Sequence, residues 1–101
     1  METDAFAALG DPTRRQLVRW LAARPSTATE LAARLPVTRQ AVAKHLGILE
    51  QARVVAKERA GREVRYRIER ERLDAAAHWI ATVTARWETR LAMLKSHLEG
   101  S

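Results

Sequence analysis

Apolar positions keep helical spacing in five stretches of the chain and strand spacing in one. In residues 38–52, Val42, Leu46 and Leu49 recur at spacings of four and three, a single apolar stripe, while Thr38, Arg39, Gln40, Ala41, Lys44 and His45 fall elsewhere around the helix. Residues 4–10, DAFAALG, form a short amphipathic helix with Phe6 and Leu9 on one side and Gly10 at its C-terminal end. Residues 11–24 open with Asp11 as N-cap and Pro12 at the first helical position. They turn Leu17, Trp20 and Leu21 towards a core and stop at Pro25. Residues 27–35 begin with a capping box, Thr27 with Glu30 three residues on, and carry Leu31 and Leu35 as the apolar pair. Pro36-Val37 makes a tight connection and Thr38 caps the helix that follows. Two short helices joined this closely have the helix-turn-helix layout, here over about residues 27–52.

The period then changes. Val64, Tyr66 and Ile68 alternate with Glu63, Arg65 and Arg67, and Ala60-Gly61 separates two such runs, so residues 54–68 are predicted to form a β-hairpin. From about Arg72 to Glu99 a long helix carries Leu73, Ala76, Ile80, Val83, Trp87, Leu91, Leu94 and Leu98, a heptad-like seam with one irregular step, widened near its start by Trp79. The fold class is therefore mainly α with a β-hairpin wing: a single winged helix-turn-helix domain over residues 1–101 with an added C-terminal helix.

Composition changes this picture in two ways. Hydrophobic residues make up 47% of the chain, but nineteen of them are alanine and aromatics are only 5%, so the core of one chain is thin and a partner subunit is expected to supplement it. The net charge of +6 is concentrated: residues 38–72 hold ten Lys/Arg against five acids, whereas residues 1–37 and 73–101 are nearly balanced. An excess focused on one stretch points to a polyanion-binding face. The absence of cysteine removes disulfides, thiolate chemistry and sulfur-ligated metals. No run reaches membrane-spanning length and no charged-then-apolar leader is visible, so a cytoplasmic location and no membrane partner are expected.

AALGDPTRRQLVRWL, TELAARLPVTRQAVAKHLGILEQARVV and RAGREVRYRI together resemble the ArsR/SmtB family of bacterial transcriptional regulators, over about Phe6 to Leu98. The closing WETRLAMLKSHLE is similar to a subgroup that lacks the metal-sensing ligands. The resemblance implies a homodimeric repressor of double-stranded DNA. Helix 38–52 would lie in the major groove and the wing, residues 57–67, on the flanking backbone. The first and last helices would form the dimer interface, through Phe6, Leu9, Trp79, Ile80, Val83, Trp87, Leu91 and Leu94. Two positions depart from the family pattern. Arg53 stands where glycine is usual after the recognition helix, so it must take a helix-ending conformation at some cost or end the helix differently. Ala43 stands where a serine hydroxyl often contacts DNA.

The side chains match that reading. Thr38, Arg39 and Gln40 sit at a helix N-terminus that favours phosphate, and Arg39 suits guanine or phosphate as Gln40 suits adenine. Lys44 supplies a mobile charge, and the small Ala41 and Ala43 allow close approach. His45 either donates to a phosphate or turns inward. In the wing, Arg59, Arg62, Arg65 and Arg67 project from a hairpin around Gly61; Arg59, Arg62 and Arg65 are expected to contact DNA, with Arg62 at the tip, while Arg65 and Arg67 share one strand face and have Glu58 and Glu63 as alternative partners. Asp74 and His78 lie one turn apart and could face one ion, but the spacings of the family's sensor site are absent and Asp74 also suits a helix start. No metal or cofactor is expected. Trp20, Trp79 and Trp87 read as interface core or as the lining of a pocket between subunits. No nucleophile-base pair or phosphate loop is visible, so catalysis is not expected. Two rivals remain: a metal- or small-molecule-responsive sensor of the same family, and a dimeric adaptor whose basic face docks an acidic protein. Charge concentrated on both helix 38–52 and the wing favours DNA over the adaptor, which would not need Gln and Arg together at the start of that helix, and a dimer implies a palindromic operator.

Overall fold

The computed structural model describes residues 4–100. Helices α1 (Ala5–Ala8), α2 (Pro12–Ala23), α3 (Ala28–Ala32) and α4 (Arg39–Gln51) form the body, with a short strand β1 (Ser26–Thr27) just before α3. A hairpin of β2 (Val55–Ala60) and β3 (Glu63–Ile68) follows, and α5 (Arg70–Glu99) closes the chain. The mainly helical, winged architecture agrees with the sequence pattern.

Side-chain caps fix the helix starts. Asp11 accepts from the Arg14 backbone N–H at 3.0 Å with Pro12 next in line. Thr27 and Glu30 form the reciprocal capping box of α3. Thr38 accepts from the Ala41 N–H at 3.1 Å and starts α4 one residue from the predicted boundary. The end of α4 shows what the arginine after it does. Arg53 holds φ at 61°, its N–H donates to the Glu50 carbonyl, and the Val54 N–H donates to Leu49. This is a Schellman ending with arginine in the left-handed position that glycine takes without strain. Leu49 and Val54, which flank it, are fully buried.

Four expectations are corrected. α1 buries Ala5 and Ala8 and leaves Phe6 40% exposed, because a single turn can press only one narrow edge on the body. It ends on Leu9, and Gly10 has no left-handed φ. α3 stops at Ala32, so Leu35 reaches the core from the turns that follow. α5 begins at Arg70, where the Glu69 N–H donates to the Val54 carbonyl at 2.9 Å and ties the helix to the root of the wing. The strand β1 had no signal, being two residues long; it pairs antiparallel with β3 (Ser26 with Tyr66, Thr27 with Arg65) and gives the sheet order β1-β3-β2.

The core gathers Leu17 and Leu21 from α2, Leu31 from α3, Val42, Leu46 and Leu49 from α4, and Val54 and Val55 at the entry to the wing. Each of the leucines contributes about 1.5–3 kcal/mol by leaving water. This core orients α4: its apolar stripe is consumed against α2, α3 and the sheet, and its polar arc must face out. Helix α5 behaves differently. It has no buried residue, and Trp79, Ile80, Val83, Trp87, Leu91, Leu94 and Leu98 are all exposed. The radius of gyration is 18.6 Å, against about 13 Å for a compact domain of this length. The helix therefore projects from the body with its seam bare.

Candidate nucleic-acid interface

Helical geometry divides α4 into flanks. Residues 42, 46 and 49 face the core, so Gln40 and Lys44, one turn apart, lie on the side most remote from it. Both are exposed and make no side-chain hydrogen bond or ion pair within the described residues. Arg39 and Ala43 form the next flank, towards the wing. The Arg39 Nε donates to the Thr29 hydroxyl of α3 at 3.0 Å.

The third flank carries Ala41 and His45 and faces the body. Ala41, expected on the reading face, is half-buried; the exposed small residue is Ala43. His45 is also half-buried: its Nδ1 lies 3.4 Å from Arg14 Nη1 and 3.8 Å from Asp11 Oδ2. Arg14 Nε in turn donates to the Ala8 carbonyl at 2.6 Å. These contacts link α4 to the first turn of α2 and the end of α1. Asp11 titrates below its ordinary value, first because the Arg14 N–H bonds its carboxylate, with the His45 and Arg14 charges adding and burial opposing.

The hairpin sorts its charges by face. Pairing of Val55 with Ile68, Lys57 with Tyr66 and Arg59 with Val64 places these residues on one side of the sheet. Ala56, Glu58 and Ala60 share the other side with Arg67, Arg65 and Glu63. Gly61, at φ 65°, makes the tip with Arg62. Arg59 and Arg62 are exposed and have no ionic partner within the described residues. Arg65, expected as a contact, is turned to the opposite face by strand alternation and pairs with Glu63 at 3.3 Å. Arg67 pairs with Glu58 at 3.4 Å and Glu69 at 3.3 Å.

Between α3, α4 and the wing runs an open groove of about 670 Å³ whose cations are Arg39, Lys57 and Arg62. Glu30 and Glu63 also border it, but both are engaged elsewhere. Glu30 accepts from the Thr27 backbone and pairs with Arg24, and its carboxyl is held below its ordinary value, first by the Thr27 N–H and then by the Thr27 hydroxyl. Two groove residues were missed in the sequence. Lys57, which pairs with Glu50 of α4 at 3.8 Å, could have been found, since it lies two residues from Arg59 on the same strand face. Thr29 carried no signal, because its relation to Arg39 exists only in three dimensions.

The remaining candidates separate in space. Asp74 and His78 are exposed on α5, and no group of three or more His, Cys, Asp or Glu suited to a metal occurs among the described residues. Trp20 does not join the other tryptophans: Arg34 stacks over its ring at 4.0 Å. Trp79 meets Phe6 with ring centroids 5.4 Å apart, joining α1 to α5, and Leu9 leans on the core instead. No helix among the described residues is long and apolar enough to cross a membrane.

Comparison with known proteins gives consistent matches. A helix-turn-helix domain family matches residues 9–58. The chain is 30% identical over 77 residues to the transcriptional repressor SdpR of Bacillus subtilis, an overlap of 76% of this chain and 86% of that protein. Its fold superposes on an ArsR-like transcriptional regulator from Rhodococcus sp. RHA1 with a TM-score of 0.82 at 42% identity, over 90% of this chain and 86% of that one. It also superposes on a homodimeric winged helix-turn-helix DNA-binding domain from Mycobacterium bovis, with a TM-score of 0.66 at 21% identity, over 80% of this chain and 75% of that one.

Proposed function

The chain belongs to the ArsR family of winged helix-turn-helix transcriptional regulators, and we propose that it works as a homodimeric repressor that covers a palindromic operator in double-stranded DNA. The observation that carries this reading is the convergence of Arg39, Lys57 and Arg62 on one groove beside the exposed Gln40 and Lys44, while the acids bordering that groove are paired elsewhere. In this reading α4 enters the major groove with Gln40 and Arg39 towards base edges and Thr38 and Lys44 towards phosphate. Arg59, Arg62 and Lys57 hold the flanking backbone. His45 acts from inside by fixing α4 on α2, and Ala41 and Arg65 leave the set of direct contacts.

The bare seam of α5, continued onto Phe6 through Trp79, supplies the second half of the reading. Two copies pairing there would present two α4 helices to successive major grooves, about 34 Å apart. The SdpR relative is itself a repressor and the Mycobacterium bovis neighbour is homodimeric. Residues 1–101 act as one domain, by binding and not by catalysis, in the cytoplasm where the DNA is.

The test is a binding titration on a duplex of the protein's own promoter over a range of salt. Phosphate neutralisation by several cations predicts an affinity that falls linearly on a log–log plot, with a slope near −0.9 for each phosphate contacted. Absence of binding at low salt, or binding indifferent to salt, would remove the proposal.

A further inference from the structure

We infer that Thr29 of α3 is a positioning residue for base recognition, one that aims Arg39 without touching DNA itself. The inference rests on the reading of α4 given above and deepens it. The Thr29 hydroxyl accepts from Arg39 Nε at 3.0 Å, and this is the one tie that the Arg39 side chain has within the described residues. An arginine at the first position of an exposed helix otherwise samples many rotamers, and ordering it on DNA would weaken each contact it makes. With Nε committed to Thr29, the two terminal Nη groups remain. They form the end-on fork that meets the O6 and N7 of guanine.

The support behind Thr29 is rigid. It follows Thr27 and precedes Glu30, whose reciprocal bonds at 3.1 and 3.2 Å lock the first turn of α3. Leu31, two residues on, is buried in the core. Threonine is itself stiff at χ1 because it is branched at Cβ. Carboxylates do not compete for the fork, since Glu30 is engaged with Thr27 and Arg24, and Glu63 with Arg65. Helix α3, only five residues long, therefore has a role besides burying Leu31: it holds the aim of the reader beside it.

The experiment measures affinity for a duplex of the protein's own promoter and for a shuffled duplex of the same composition. The proteins are the parent, Thr29→Val, Thr29→Ser and Arg39→Ala, together with the Thr29→Val/Arg39→Ala double variant. Thr29→Val removes the hydroxyl at nearly constant shape and is expected to lower the promoter-to-shuffled ratio by roughly tenfold, within the range a bidentate base contact spans. The salt slope stays as in the parent, because the phosphate contacts are unchanged. Thr29→Ser, which keeps the hydroxyl, retains the ratio, and Thr29→Val adds nothing in the Arg39→Ala background. Thermal melting of each variant separates this effect from loss of fold. Should Thr29→Val keep the ratio while Arg39→Ala lowers it, or should it weaken both duplexes equally, the inference on Thr29 is overturned and the reading of α4 stands. Should Arg39→Ala leave both affinities unchanged, the role given to Arg39 falls, and the inference with it.

Discussion

The body and helix α5 draw on the same kinds of apolar residue and put them in opposite environments. Every fully buried apolar residue described lies between Ala5 and Val55, whereas Trp79 and Trp87 on α5 are each 57% exposed and Leu98 is 68% exposed. The body can close on itself because α2, α3, α4 and the sheet press their stripes on one another from several directions. The 30-residue α5, which meets the body at Leu73 and Trp79 and has no buried residue, is not enclosed in this way. An exposed apolar stripe of this size marks a surface meant for another molecule. The contrast teaches that an amphipathic pattern fixes which side of a helix is apolar, and the surrounding topology decides whether the same chain or a second one covers it.

The largest effect is expected at α5. The paired substitution Trp87→Arg and Leu91→Glu should leave the body folded, yield a monomer in sedimentation velocity, and lower promoter affinity by about 100-fold or more as the link between half-sites is lost. A dimer that survives this change would mean that the seam is not the interface. The next effect belongs to the body. Leu46→Ala should destabilise by about 2–5 kcal/mol whatever the protein concentration, because its cavity lies inside one chain. Leu91→Ala should instead shift unfolding by an amount that depends on concentration, since its partner is another molecule. Denaturation at two concentrations distinguishes the two.

A smaller effect is expected where the body ends α4. Arg53→Gly should raise stability by roughly 0.5–1 kcal/mol, relief of a left-handed penalty of about 1–2 kcal/mol less the added freedom of unfolded glycine. A loss of stability would show that the contacts of the arginine side chain outweigh its backbone strain. The smallest effect is on the acid limb. Asp11 and Glu30 titrate below their ordinary values of 3.8 and 4.5 in the folded chain. Their contribution is therefore complete above those values and is lost as pH falls through the lowered ones. Asp11→Asn and Glu30→Gln keep the caps and should flatten the loss of stability below about pH 4. Urea melts of parent and variants at several acid pH values check this.

Much of the fold was legible because it is written in local chemistry. Asp11-Pro12, the Thr27–Glu30 box and Thr38 each mark a helix start through bonds made within three residues. Gly61 and the alternation through Val64, Tyr66 and Ile68 mark the hairpin in the same way. The family's glycine position left Arg53 two ways to end α4, a costly helix-ending conformation or a different stop, and the structure takes the first, at φ 61°. What the sequence could not give depends on through-space geometry. The strand β1 is too short to show a period, and Thr29 meets Arg39 across ten residues. Lys57 and Arg65 lie on opposite faces of the hairpin, and only the pairing register and the packing of the wing show that the Lys57 face borders α4. His45 meets Arg14 across 31 residues, a contact that no local pattern records.

In the proposed function the two regions act together: a body that reads DNA is doubled by a helix that cannot bury itself. Selection of duplexes from a random pool by the intact protein tests both halves at once. The account predicts enrichment of an inverted repeat whose half-sites are centred about one helical turn apart, with binding lost when half a turn is inserted between them. Enrichment of a single unrepeated site bound equally well at any spacing, or no enrichment at all, would contradict it.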